Sequence, residues 1–118
     1  MTANNYTDLN VWHESIKLVK LVYSLVKDLP REEMYALSDQ MRRSAVSIPS
    51  NIAEGQRKHS RNEFVRYLNI AIGSAGELET QLLISQELFS LKVANVLVQL
   101  SVVTKMLFAL RKSIEKIN

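Results

Sequence analysis

The chain has 118 residues, 47% apolar and 23% charged, the balance of one globular domain spanning 1–118 rather than of a disordered tail. Its formal net charge of +3 is mildly basic, well short of a dedicated nucleic-acid tail, although oligomerisation would multiply it. With no cysteine there is no disulfide framework or thiolate metal site, and three glycines and two prolines favour a few long helices over many short strands.

The amino-terminal Met1-Thr2-Ala3-Asn4-Asn5 has no basic region followed by an apolar run, so no secretory signal is expected. Lys, Arg or Glu interrupts each apolar run before the roughly 18 residues a membrane span needs. These features predict a cytoplasmic protein with no membrane partner.

The first helix is expected to start at Thr7 or Asp8, either of which can cap it, and to end near Asp28 because Leu29-Pro30 disfavours continuation. Leu9, Trp12, Ile16, Val19, Tyr23 and Val26, flanked by Val11, Leu18, Val22 and Leu25, form a stripe wide enough for two packing surfaces. The second helix is read from the acidic turn Arg31-Glu32-Glu33 to about Lys58. Pro49 falls inside it, removing one N–H and crowding the Ala45 carbonyl, so a kink or break is expected at Ser47 to Pro49. Ser44, Ser47 and Ser50 are placed to bond the carbonyls so released.

The third helix starts at Ser60, which forms a capping box with Glu63. Phe64, Leu68, Ala71, Ala75, Leu78, Leu82, Ser85 and Phe89 follow in alternating steps of four and three, a heptad seam. The small residues Ala71, Gly73, Ala75 and Gly76 would let another backbone approach closely. The fourth helix, about Lys92 to Ile117, repeats Val93, Leu100, Leu107 and Ile114 at one heptad position and Val96, Val103, Leu110 and Ile117 at the other. Val98, Val102, Met106 and Phe108 lie off that seam, an apolar surplus that predicts a homo-oligomer. The fold class is therefore all-α, an antiparallel up-down-up-down four-helix bundle with a proline kink or break in the second helix.

Pairing the second and third helices about the Lys58-His59 turn brings Arg42 and Arg43 near Ser74 and Glu77, Ser47 near Ala71, and Asn51 near Tyr67. Arg43–Glu77 is the bridge expected to fix register, with Asn51 and Glu54 serving the helix freed by Pro49. Arg42, Arg43, Ser47, Asn51, Glu54, Ser74 and Glu77 could form a ligand pocket. Buried polar pairs more often specify register, so the structural reading is preferred. No nucleophile is paired with a base, and no catalytic residue is assigned.

His13 and His59 lack the spacing of a metal site, and Gly73-Ser74-Ala75-Gly76 lacks the lysine of a phosphate loop, so neither a metal nor a cofactor is expected. Arg57, Lys58, His59, Arg61 and Arg66 gather positive charge at one end of the bundle, suited either to phosphate contacts or to a solvated turn. Lys105, Arg111, Lys112 and Lys116 form a second cluster on the fourth helix, read as a solubilising face. No aromatic residue is expected among either cluster, which counts against base stacking.

Leu9-x-Val11-Trp12, Leu29-Pro30 with Glu33 and Tyr35-x-Leu37 after it, Gln40-Met41-Arg42-Arg43, Ser47-Ile48-Pro49-Ser50-Asn51-Ile52-Ala53-Glu54-Gly55 and Ala71-x-Gly73-Ser74-x-x-Glu77-Leu78-Glu79 together resemble a bacterial family. Its members are four-helix-bundle proteins encoded in intervening sequences of 23S ribosomal RNA genes and often labelled ribosomal proteins. The resemblance covers nearly the whole chain. It implies a homopentameric ring, and a relationship to the accessory proteins of diversity-generating retroelements, which carry a basic surface and bind a reverse transcriptase and nucleic acid.

The expectation is thus a noncatalytic homo-oligomer binding RNA or DNA through Arg57, Lys58, His59, Arg61 and Arg66. The alternative is a scaffold or accessory subunit for an acidic or reverse-transcriptase protein partner. An enzyme would require Glu54 and Glu77 to converge in a pocket opened at Pro49.

Overall fold

Residues 5–116 are described by the computed structural model; residues 1–4, 117 and 118 lie outside the described residues. The heptad position read at Ile117, and all but Asn5 of the stretch read for a secretory signal, fall there. Asn5 Oδ1 accepts from the Thr7 backbone N–H at 3.1 Å and caps a short 3₁₀ turn, Tyr6–Asp8. The first α-helix, α1, therefore begins later than Thr7 or Asp8 and runs Asn10–Leu25. A second 3₁₀ turn, Val26–Asp28, finishes the segment before Leu29-Pro30.

After Pro30 the acidic stretch is also a 3₁₀ turn, Arg31–Glu33, and α2 runs Leu37–Arg57. Glu33 still serves the helix start: its Oε1 accepts from the Leu37 N–H at 3.4 Å. The chain is not broken at Ser47 to Pro49, because α2 continues through a buried Pro49. Ile48 and Ile52 beside it are fully buried, and such packing can offset the roughly 3 kcal/mol an interior proline costs.

Helix α3, Arg61–Phe89, is the longest. Ser60 Oγ accepts from the Glu63 N–H at 3.3 Å, giving one half of the expected capping box, while the Glu63 carboxylate turns to Arg66. Ser90, left-handed at φ 55°, ends the helix with its N–H on the Gln86 carbonyl. Helix α4 covers Ala94–Glu115.

Helix α1 packs on α2 and α4, and α3 on α2 and α4, so the four helices close into one bundle of 49 × 22 × 19 Å. The α2–α3 contact is the most extensive. Contacts of Met41 with Ser85, Ser47 with Ser74, and Gly55 with Tyr67 show that these two helices run antiparallel. The meeting of Ser47 with Ser74 rather than Ala71 sets them about one helical turn from the level pairing expected about Lys58-His59.

The seams of α3 and α4 are as expected, with Leu68, Ala71, Ala75, Leu78, Leu82 and Ser85 buried on one and Val96, Leu100, Val103, Leu107 and Ile114 on the other. Met106, read as surplus, packs partly against the core. In α1 the buried rungs are Val11, Ser15, Leu18 and Val22, three of them read as flanks, while Leu9, Trp12 and Val19 of the expected stripe pack partly against the core and Tyr23 is exposed. Ser15 concealed this. A hydroxyl can occupy a seam when it donates to its own helix, as Ser15 does to the Trp12 carbonyl at 2.7 Å. By length and composition α4 could cross a membrane, a test that the core helix of a soluble protein also passes.

Candidate nucleic-acid interface

The α2–α3 hairpin carries two groups of polar residues, one at mid-height and one at its turn. At mid-height, Asn51 Nδ2 donates to the Ser47 carbonyl at 2.7 Å and to Ser47 Oγ at 2.9 Å. Ser47 Oγ in turn shares a hydrogen bond of 2.8 Å with Ser74 Oγ on α3. Ser47 thus bonds across the hairpin instead of to a carbonyl released by Pro49. Ser47, Asn51 and Ser74 form a closed hydrogen-bonded set across the hairpin.

The arginines and carboxylates read into the same set are elsewhere. Arg43 lies two positions past the buried Met41, which turns it to solvent, and its Nε meets Asp39 at 3.0 Å on its own helix. Arg42 Nη2 donates to the Met34 carbonyl at 3.2 Å, and its guanidinium lies 6.0 Å from the Tyr23 ring centroid. Among the described residues Glu77 and Glu54 have no ion pair, and both are exposed. The expected Arg43–Glu77 bridge is therefore not formed. Neither Glu54 nor Glu77 lines the cavities at the hairpin turn, the α1–α2 surface or the α3–α4 surface.

At the turn, α2 delivers Arg57 from its last residue, and Lys58 and His59 follow. His59 adopts φ 52°, the left-handed conformation that lets the chain reverse within three residues before α3 brings Arg61 and Arg66. Arg57, Lys58, His59 and Arg61 are all exposed, and among the described residues none has a carboxylate ion pair. Arg66 does: its Nε is 2.9 Å from Glu63 Oε2 and its Nη2 is 3.2 Å from Oε1. That fork holds the Glu63 carboxyl below its ordinary range and raises the Arg66 guanidinium further above its own.

Two tyrosines stand among these cations. Arg66 lies 4.5 Å and Lys58 5.8 Å from the Tyr67 ring centroid, while Arg57 lies 6.0 Å from that of Tyr6. The expectation that no aromatic belongs to the cluster is overturned. Tyr67 was legible as the neighbour of Arg66, but Tyr6 reaches the site only because the amino-terminal turn folds against α2. A cavity of about 280 Å³ beside it is lined by Asn5, Gln56, Arg57 and His59. Tyr67 in turn depends on Gly55, where an added β-carbon would come within 2.6 Å of Tyr67 Cβ.

The second basic cluster is partly engaged. Arg111 Nη1 donates to Asn69 Oδ1 at 2.8 Å, its guanidinium lies 4.8 Å from the Phe108 ring centroid, and Lys105 edges an apolar groove between α3 and α4. No group of three or more His, Cys, Asp or Glu among the described residues could hold a metal ion.

The sequence pattern of the 23S rRNA-intervening sequence proteins matches residues 7–109. The chain belongs to that family. No curated protein matches it. The match to the 23S rRNA-intervening sequence protein family spans most of the bundle and includes both polar groups of the hairpin, whereas Arg111, Lys112 and Lys116 lie beyond it. Of the residues that carried the resemblance, Met41, Ile48 and Ile52 are core, Ser47, Asn51 and Ser74 form the hairpin's hydrogen-bonded set, and Glu54 and Glu77 lie on the surface.

Proposed function

We propose that this protein is a noncatalytic homo-oligomer that binds RNA or DNA by its phosphates, through Arg57, Lys58, His59 and Arg61 at the hairpin turn with Arg66 beside them. The observation that carries the reading is that Arg57, Lys58 and Arg61 are exposed together beside His59 and that, among the described residues, none of them forms an ion pair with a carboxylate. Such a patch gives affinity that is mostly independent of sequence and falls steeply with salt. In this reading the protein works in the cytoplasm, which the absence of cysteine suits.

Self-association is supported by the outer surface of the four-helix bundle. Val98 is 66% and Phe108 44% exposed, and the α3–α4 groove beside Phe108 is lined by Ile72, Ala75, Gly76 and Leu100. A second copy covering this face would remove that apolar area from water, and the family resemblance points to five copies. Replacing Phe108 by Glu should lower the mass in solution while preserving helix content; an unchanged mass rejects this face as the interface.

A second reading, an accessory subunit for another protein such as a reverse transcriptase, is favoured by Met34 and Tyr35 in the α1–α2 connection, the latter 90% exposed. Large exposed apolar and aromatic groups of this kind are frequent anchors of protein partners. The deciding experiment measures binding of labelled RNA and double-stranded DNA across a salt series, for the native chain and for Arg57, Lys58 and Arg61 changed to Ala. Binding that weakens with salt and in the variant supports phosphate recognition. No binding at low salt by the assembled protein rejects it in favour of the protein partner.

A further inference from the structure

We propose that the hairpin turn takes single-stranded RNA or DNA in preference to duplex, with bases stacked on Tyr67 and Tyr6 while the surrounding cations hold the phosphates; this rests on the phosphate reading above. A patch built for a duplex backbone needs charge alone, since bases in a duplex are already stacked on one another. Here the charge is interleaved with rings. Lys58 and Arg66 lie over Tyr67 and Arg57 over Tyr6, and both rings are partly exposed.

The arrangement is suited to exchange. Lys58 and Arg57 have no carboxylate ion pair among the described residues, so neither side chain is tied down over its ring. A phosphate entering the patch draws these two long side chains toward itself and uncovers the ring faces for the adjoining bases. Arg66 behaves differently. Its fork to Glu63 fixes it 4.5 Å from Tyr67, so it stays as a planar cation against which a base can also lie.

The cavity lined by Asn5, Gln56, Arg57 and His59 supplies polar edges beside Tyr6, and its roughly 280 Å³ far exceeds the ~30 Å³ share of one water. Asn5 Oδ1 accepts from the Thr7 N–H and hydroxyl, which holds this lining side chain in place at the cavity. The Tyr67 backbone is set by close packing on Gly55, so the stacking platform is rigid where it must be and open where the base arrives.

The chain carries its own reporter. Trp12 is its single tryptophan, and its ring centroid is 5.3 Å from that of Tyr6. Single strands of about 12 nucleotides, and the duplex they form, are titrated into the native protein, Tyr6→Leu and Tyr67→Leu while Trp12 fluorescence and anisotropy of the labelled nucleic acid are followed. The inference expects the single strand to bind more tightly per phosphate and to change Trp12 emission. Each Leu variant should lose about 5- to 150-fold for the single strand, the range of one stacked base, and about twofold or less for the duplex. Tyr6 lies outside the helical core, so Tyr6→Leu keeps the test decisive if Tyr67→Leu unfolds. Equal affinity for both forms, unchanged in the Leu variants but lost in the Arg57, Lys58 and Arg61 variant, overturns stacking and leaves the phosphate reading intact. No binding of either form at low salt overturns both.

Discussion

On the inner seam of the hairpin a β-carbon added to Gly55 would come within 2.6 Å of Tyr67 Cβ, whereas on the outer face of α3 one added to Gly73 or Gly76 would meet nothing within 4 Å. The three glycines share two adjoining helices and look alike in the sequence. At Gly55 the missing side chain is required by a close approach inside the chain. At Gly73 and Gly76 the helix bears the backbone entropy of glycine although the space for a side chain is open, so no close approach within the chain requires glycine there. The polar residues divide along the same line. Ser47, Asn51 and Ser74 satisfy one another within the hairpin, while Arg57, Lys58 and Arg61 are exposed and form no ion pair with a carboxylate among the described residues.

The largest effect expected from this contrast is at Gly55. Gly55→Ala forces a β-carbon against the first atom of the Tyr67 side chain, which cannot swing away without moving α3, so a loss of about 1–3 kcal/mol is expected. Thermal unfolding checks it, and an unchanged midpoint would show that the two helices can separate at this end. Because Tyr67 carries Arg66 and Lys58 on its ring, the same variant should also weaken nucleic-acid binding.

Next in size is the hydroxyl pair. Ser74→Ala leaves Ser47 Oγ without its partner across the hairpin, and Ser47→Ala removes an acceptor from Asn51 and the hydrogen-bond partner of Ser74; each should cost about 1–2 kcal/mol. The double variant should cost less than the sum, by about 0.5–1 kcal/mol, because the second change removes a group already orphaned by the first. Strict additivity in chemical denaturation would mean that the pair does not tie α2 to α3.

The outer glycines should respond in the opposite sense. Gly73→Ala is expected to stabilise the monomer by about 0.5–1 kcal/mol, since α3 gains a better helix former without a clash. Gly76→Ala should do the same in dilute solution but weaken self-association, because Gly76 lines the α3–α4 groove. Melting temperatures at low and high protein concentration separate the two effects. Equal stabilisation at both concentrations would remove Gly76 from any interface.

How much of this was legible follows from the same physics. The α3 and α4 seams were readable because apolar residues repeat there with few polar intruders. The α1 seam was misplaced because Ser15 occupies one of its rungs, and a hydroxyl bonded to its own helix carries no apolar signal. Arg43 and Glu77 were paired on level alone; the direction of each side chain, fixed by its offset from Met41 and Leu78, turns both to solvent. The cations at the turn were legible from their adjacency, whereas Tyr6 comes to them across some fifty positions by folding of the amino-terminal turn.

The smallest effect lies at the α1–α4 contact, where a polar pair bridges two helices near the surface and can be titrated. Gln99 Nε2 donates to the Glu14 carbonyl at 2.9 Å and to its Oε1 at 3.0 Å. Hydrogen bonds from Gln99, then from Lys17, hold the Glu14 carboxyl below its ordinary value of 4.5, against the opposing effect of desolvation. A carboxyl whose folded pKa is depressed adds stability above its unfolded pKa and loses it as pH falls through the folded one. Gln99→Leu should therefore be less stable than the native chain at pH 7, with the gap narrowing as the pH drops below 4.5. Denaturant midpoints measured from neutral to acid pH give that gap directly. A gap that stays constant would assign the contribution to the Glu14 carbonyl, which does not titrate, and would make this contact resemble the Ser47–Ser74 pair more than the charged surface around it.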